Sequence, residues 1–297
     1  MDTFLTLKQL QELLRQNNIF PRKELGQNFL IDRNIRDKIL SFAEITKDDI
    51  CMEIGPGLGA LTGSLVEKAG FVYAVEKDKK IADILKKRFA GISSIRIEEK
   101  DFLELDWDSL GFKNKIKIIG NLPYYIASPI LFELLKFRQY WKMAVVMIPE
   151  DVATRIVAKS GEKNFGLLSV VFALLTSCSV CHRIPGSVFY PETEIKSVAM
   201  KILPESKIKI QVKNHKILWS FLPGLFIQRR KNILNVLNKS FRIDKKTALS
   251  ILEKLQIEPT LRSHQLKLDE VVKIAEQMAK IKEIEKCNLT SSEKKVK

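Results

Sequence analysis

Between residues 50 and 148 the chain alternates short β-branched runs with stretches of helical periodicity, and this alternation limits the possible folds more than any other feature. The strand-like runs are ICMEI at 50–54, FVYAVE at 71–76, SIRIEE at 94–99, KIKII at 115–119 and KMAVVMI at 142–148. Helical spacing fills 59–69, 79–90 and 128–138. Strands separated by helices of this length form βαβ units, which pack as a parallel sheet with helices on both faces. Two further helical segments, 150–158 and 166–176, precede SCSVCHRI at 177–184 and SVAMKIL at 197–203, which read as a late pair of strands. Upstream, Leu7, Leu10 and Leu14 repeat at helical spacing after Thr6, and Ile35, Ile39, Leu40 and Phe42 do so after Asp32, with the loop 21–30 between them.

Leu203-Pro204-Glu205-Ser206 is a natural boundary, because the sequence beyond it reads as helices broken at Pro223-Gly224 and Glu258-Pro259. The layout is therefore an α/β domain over 1–204 and a small all-helical domain over 205–297, with a frayed tail after about 283. Charge supports the division. The first segment carries 29 Lys and Arg against 25 Asp and Glu, the second 21 against 10, so most of the net charge of +15 is C-terminal. Such an excess favours a polyanion, since neutralised phosphates release counterions.

No apolar run approaches the roughly 20 residues that span a bilayer, and the N-terminus lacks the pattern of a signal peptide, which implies a cytoplasmic protein without a membrane partner. Four cysteines (Cys51, Cys178, Cys181, Cys287) are too few and too uneven for a disulfide framework. Cys178-Ser-Val-Cys181-His182 matches a haem-attachment spacing, but it lies in a strand-like run, where residues three apart face opposite sides. No second cysteine pair completes a zinc site, and no metal is expected.

The first strand ends in Glu53-Ile54-Gly55-Pro56-Gly57-Leu58-Gly59-Ala60, and the second ends at Glu76, 21 residues beyond Gly55. Glycines at a strand end let a nucleotide approach the backbone, and an acid at the tip of the next strand accepts ribose hydroxyls. The pattern alone fits a dinucleotide as well as S-adenosylmethionine. Three features favour the latter. Pro56 removes an N–H that a pyrophosphate would use. Asp101 follows the third strand, where a carboxylate accepts from an adenine amino group. The fourth strand ends in Asn121-Leu122-Pro123-Tyr124, which hydride transfer does not require.

Gly55-x-Gly57-x-Gly59 together with Asn121-Leu-Pro-Tyr124 resembles the class I methyltransferases that modify the exocyclic amine of adenine. Gly26-Gln-Asn-Phe-Leu30, Phe165-Gly-Leu-Leu-Ser169, Val188-Phe-Tyr-Pro191 and Phe226-Ile-Gln-Arg-Arg-Lys231 narrow the resemblance to the small-subunit ribosomal RNA adenine dimethyltransferases, in order from about residue 20 to about 270. The resemblance implies a Rossmann-like domain with a seven-stranded, mostly parallel sheet, followed by a small helical domain. It implies dimethylation of N6 on two adjacent adenosines in the 3′-terminal hairpin loop of 16S rRNA, in a precursor of the 30S particle, by a monomeric enzyme using S-adenosylmethionine.

By the same resemblance, Asn28, Leu30, Gly55, Glu76, Asp101 and Asn121 bind the cofactor. The side-chain oxygen of Asn121 and the carbonyl of Leu122 accept the two amine hydrogens, and Pro123 fixes the backbone that aims them. Tyr124 stacks on the base and Phe189 clamps its other face. Arg229, Arg230 and Lys231 are the candidate RNA contacts. Helical spacing further places Arg230 on the apolar face with Phe226, Ile233, Leu234 and Leu237, facing a carboxylate or phosphate.

This chain departs from the family pattern at Thr193, where a second proline is usual, so the loop holding Phe189 is expected to be looser. Three rivals remain at this stage: a 23S rRNA adenine methyltransferase of the macrolide-resistance type, a non-catalytic RNA-binding assembly factor, and a nicotinamide dehydrogenase.

Overall fold

The computed structural model describes residues 4–21, 27–205 and 215–293, the side chains of 215–218 and 281–293 excepted. Gly26 and Ser206 lie outside the described residues. The chain divides into two compact units, one of residues 1–154 and 175–207 and the other of 155–174 and 208–297. The division near residue 207 falls close to Leu203-Pro204, but residues 155–174 group with the C-terminal helices rather than with the sheet.

The first unit opens with α1 (Leu7–Gln16), whose N-terminus carries a reciprocal capping box between Thr6 and Gln9. Next come β1 (Phe29–Leu30), α2 (Arg33–Phe42) capped by Asp32, and β2 (Ile50–Ile54). They are followed by α3 (Thr62–Lys68), β3 (Phe71–Glu76), α4 (Lys79–Arg88) capped by Asp78, and β4 (Ile95–Glu99). The unit continues with β5 (Ile116–Asn121), α5 (Ala127–Lys136) and β6 (Trp141–Pro149), and then α6 (Glu150–Val157) begins. After α7 (Leu167–Leu175) it resumes with β7 (Ser177–Ile184), β8 (Phe189–Tyr190) and β9 (Ser197–Leu203).

Seven strands form one sheet in the order β4-β3-β2-β5-β6-β9-β7, and β1 pairs with β8 in a separate ribbon. The pairs from β4 to β6 are parallel, while β9 runs antiparallel to both β6 and β7. Residues 177–184 form a strand with Cys178 and Cys181 as free thiols, one bonded to Thr176 and the other to Ser179. The chain winds outward from β2 through β3 to β4, then returns to place β5 on the other side of β2. The reversal opens a crevice at the carboxyl ends of β2 and β5, the position where open α/β sheets bind ligands. Ile54 and Gly120 are register partners at that edge. A side chain on Gly120 would come within 2.7 Å of the Ile54 carbonyl oxygen, so only glycine lets the two strands close there.

One correction concerns α3, which starts at Thr62 rather than near residue 59. Gly55, Gly57 and Gly59 all have positive φ, and this left-handed backbone holds the chain in a loop for a further turn. The core beneath the sheet joins Leu40 of α2, Leu65 of α3, Ile119 of β5, Met147 of β6 and Ala199 of β9.

The second unit is helical. Its elements after α7 are α8 (His215–Phe226), α9 (Ile233–Phe241), α10 (Lys245–Lys254) and α11 (Leu268–Glu293). Leu225, Val236, Leu252 and Ile274 are fully or almost fully buried there, and the rings of Phe221 and Phe241 stack at 4.4 Å. α11 runs on to Glu293. Among the described residues no helix is long and apolar enough to cross a membrane.

Candidate active site

The site is built where β2, β3 and β5 end. Two cavities meet at Gly55. The larger, about 420 Å³, is lined by Glu76, Lys77, Asp101, Phe102, Pro123 and Tyr125. That volume falls in the roughly 300–1,000 Å³ range of small-molecule sites. The smaller, about 40 Å³, lies inward and is lined by Asn28, Leu30, Glu53, Gly57, Asn121 and Met147. The six residues expected to hold the cofactor thus divide between two chambers, with Gly55 lining both.

The loop after β2 has little left to offer a pyrophosphate. Pro56 has no N–H, Gly55 donates to the Val75 carbonyl, Gly59 donates to the Pro56 carbonyl, and Gly57 donates to Glu76 Oε2 at 3.1 Å. Acids line both cavities, Glu53 the smaller and Glu76 and Asp101 the larger, where Lys77 and Lys100 stand beside them. The residues present fit S-adenosylmethionine: acids for the ribose and adenine in the outer chamber, and a buried carboxyl in the inner one.

Glu76 is buried, and burial pushes its carboxyl up; the N–H groups of Asp78, at 2.9 Å, and Gly57 oppose that shift. Burial would also raise Asp101, but the Lys77 ammonium at 2.7 Å and the Leu103 N–H at 2.9 Å outweigh it and hold the carboxyl below its ordinary value. Glu53 is 1 % exposed, and burial pushes it up to about 8 against the Thr62 hydroxyl, which donates at 2.7 Å. Sequence reasoning passed over Glu53. Its signal was an acid inside the apolar run ICMEI, a placement a buried strand tolerates only for a reason.

Asn121 closes β5, and its Nδ2 donates to the Asn28 carbonyl at 3.0 Å. A carbonyl can only accept, so this bond settles which end of the amide faces Asn28 and leaves Oδ1 as an acceptor. The Leu122 N–H donates to the Met147 carbonyl, and its own carbonyl takes no partner among the described residues. Pro123, with φ −58°, leads into the turn Tyr124–Ile126. Tyr124 is held by a 2.8 Å bond between its hydroxyl and that of Ser197, a buried residue at the start of β9. Nothing in the sequence pointed to Ser197.

Phe189, the expected clamp, is placed in the core. Its side chain is 1 % exposed and packs in the core with Leu30, Ile39 and Met147, while β8 pairs Phe189 with Leu30. In this conformation it packs beside Leu30, its register partner. The loop after it is tied rather than loose: Thr193 N–H reaches the Gly186 carbonyl, and a side chain at Gly186 would collide with the Thr193 carbonyl.

Arg230 also departs from expectation. The helix does not run through 226–237: α8 ends at Phe226, Asn232 caps α9, and turns fill the gap. Arg230 is therefore exposed, as is Lys231. Arg229 instead donates to the backbone carbonyls of Lys163 and Phe165 within the second unit.

A sequence model of the family "Ribosomal RNA adenine dimethylase" matches residues 19–280. The chain is 36 % identical over 267 residues to "Ribosomal RNA small subunit methyltransferase A" of Halothermothrix orenii, covering 88 % of this chain and 89 % of the relative. It is also 36 % identical to the protein of the same name from Moorella thermoacetica, covering 93 % and 98 %. Among solved structures, a dimethyladenosine transferase from Plasmodium falciparum superimposes with a TM-score of 0.70 at 26 % identity, covering 85 % of this chain and 98 % of the other. The 23S rRNA methyltransferase ErmE shares the fold with a TM-score of 0.62 at 20 % identity, covering 85 % and 100 %. The motifs, the two-chamber cleft and a match over most of the chain agree: this protein belongs to the ribosomal RNA adenine dimethylase family.

Proposed function

We propose that this chain uses S-adenosylmethionine to dimethylate N6 of two adjacent adenosines in the 3′-terminal hairpin loop of 16S rRNA, acting on a precursor of the small subunit. The observation that carries the reading is the 3.0 Å bond from Asn121 Nδ2 to the Asn28 carbonyl, which leaves Oδ1 as an acceptor at the cofactor cleft. The names of the relatives support the small subunit as the destination.

When bound, the cofactor supplies an electrophilic methyl group on a sulfonium. The chain's residues supply the geometry. The adenine amino nitrogen is a weak nucleophile because its lone pair is delocalised into the ring. Asn121 Oδ1 and the Leu122 carbonyl accept its two hydrogens and draw the amine out of the ring plane, so the lone pair points along one line. Pro123 keeps the two acceptors aimed, and Tyr124, anchored through Ser197, offers a face on which the base stacks. Glu76 accepts from the ribose and Asp101 from the cofactor's adenine, while Glu53 meets the ammonium of the zwitterionic amino-acid end in the smaller chamber.

The target base must leave its stack, and a hairpin loop lowers the cost of that step below that of a duplex. Arg230 and Lys231 are exposed cations available to phosphates; Arg229 serves its own unit.

The test is to incubate the protein with radiolabelled S-adenosylmethionine and with separated 30S and 50S particles lacking the modification. Label confined to N6,N6-dimethyladenosine of 30S RNA is the expected result. Label confined to 50S RNA would establish the macrolide-resistance type of activity instead.

A further inference from the structure

Phe20 is the most exposed large apolar side chain among the described residues, at 81 %, and the reading above does not use it. A lone exposed aliphatic group needs no explanation. A whole phenyl ring that the backbone holds in water does. α1 ends in a Schellman arrangement: Asn18 is left-handed, with φ 51°, and its N–H reaches the Arg15 carbonyl at 3.1 Å, while the Ile19 N–H reaches the Leu14 carbonyl at 2.9 Å. That motif asks for one apolar residue to pack back on the last turn, and Ile19 fills the role, buried in one cluster with Leu14. Phe20 comes after the motif is complete. Pro21 then restricts it to extended backbone, and its ring makes no stacking or cation contact among the described residues.

The anchor fixes where the ring stands. Ile19 packs with Phe29 and Leu58, two residues that line the smaller chamber, and with Ile81 in the first turn of α4. Leu58 follows β2 and α4 follows β3, so these contacts lie at the carboxyl rim of the sheet, where the crevice opens. An RNA whose adenosine reaches Asn121 lies across the same rim. In the chain, Arg22 and Lys23 come directly after Phe20 and Pro21. An aromatic ring beside cations is the composition that holds single-stranded RNA, by base stacking and phosphate pairing together. The same charges make this a poor seat for an apolar protein face.

We propose that Phe20 is an RNA contact outside the catalytic pocket, its ring stacking on an unpaired base of the hairpin loop other than the target adenosine and so setting where the loop sits on the rim. The assignment deepens the RNA-methylation reading and rests on it. Phe20 takes no part in the methyl transfer itself, which occurs at Asn121 and Leu122.

The experiment measures anisotropy of a fluorescein-labelled stem–loop RNA with the full chain, at one fixed salt concentration because phosphate contacts make affinity salt-dependent. Phe20→Ala should bind about 10-fold more weakly, the size of one base–ring stack. Phe20→Trp should stay within about twofold of the wild type, and Phe20→Leu, apolar but without a ring face, should be as weak as the alanine variant. On a loop whose bases other than the target adenosine are abasic, wild type and Phe20→Ala should agree within about twofold. Calorimetry should give all variants the wild-type affinity for S-adenosylhomocysteine; a loss there would make Phe20 a support for the cofactor loop and overturn the proposal. Leucine restoring the affinity, equal losses on intact and abasic loops, or no loss at all would overturn it as well. A loss on 30S particles without one on the free RNA would make the partner a protein, with the same consequence. A wild type that binds S-adenosylhomocysteine but no RNA fails at an earlier point, because it removes the RNA reading on which the proposal stands.

Discussion

Asp49 sits just before β2 and Glu53 near its carboxyl end, and both are buried, at 3 % and 1 % exposure, yet the chain treats them in opposite ways. At the amino end Asp49 is fully paired. Burial works against its charge, but Lys117 at 2.9 Å, Lys142 at 2.7 Å and the Thr46 N–H at 2.8 Å hold the carboxyl well below its usual range. At the carboxyl end Glu53 has only the Thr62 hydroxyl, and burial pushes it up to about 8. A structural acid brings its own cations, because an unpaired buried charge is costly. Glu53 has no cation beside it among the described residues, the setting in which a buried acid becomes a candidate for meeting one on a ligand. The sheet is thus closed electrostatically at its base and left open at its rim.

Several substitutions separate the two ends. The largest effect is expected at the rim: Asn121→Ala should lower kcat/KM for RNA methylation by about 10³-fold, roughly 4 kcal/mol of transition-state stabilisation, with a far smaller change in S-adenosylhomocysteine affinity by calorimetry. At the base, Asp49→Asn strands the buried Lys117 and should cost about 3 kcal/mol in denaturant unfolding, while the folded fraction keeps its activity.

The pH dependence of unfolding should then differ in sign. Asp49 has a lowered value when folded, so its stabilisation is present above the unfolded carboxyl's range and is lost as pH falls; Asp49→Asn should flatten that acid limb. Glu53 has a raised value, so its stability contribution is greatest in acid and declines as pH rises through about 8. Glu53→Gln should remove that decline and weaken S-adenosylmethionine binding by about 10-fold, whereas equal binding would break the comparison. The smallest effect is Thr62→Val, about 1 kcal/mol, because it deletes one buried hydrogen bond and leaves Glu53 with an unused acceptor.

The sheet was legible in the sequence because β-branched runs mark buried strands irrespective of their partners. Residues 50–54, 71–76, 177–184 and 197–203 match the observed strands end to end. Helix ends were harder. The loop glycines delay α3 through their backbone angles, and the spacing argument for Arg230 failed because it carried one helical phase across a break capped by Asn232.

The candidate site was legible as residue types and motif order, but the orientation of its side chains was not. Which way Asn121 points depends on a carbonyl 93 residues earlier in the chain, and Tyr124 depends on Ser197, 73 residues later. Phe189 shows the same limit from the other side. A phenylalanine in a sequence does not say whether it faces a ligand or the core, and here the pairing of β1 with β8 turns it inward.

The most direct measurement is a crystal structure of the chain with S-adenosylhomocysteine and an adenosine-bearing fragment of the hairpin loop. The account predicts the target N6 within hydrogen-bond distance of both Asn121 Oδ1 and the Leu122 carbonyl, with its lone pair directed at the cofactor's sulfur. An adenosine whose N6 meets Asn121 Nδ2, or whose amine lies away from that sulfur, would contradict it.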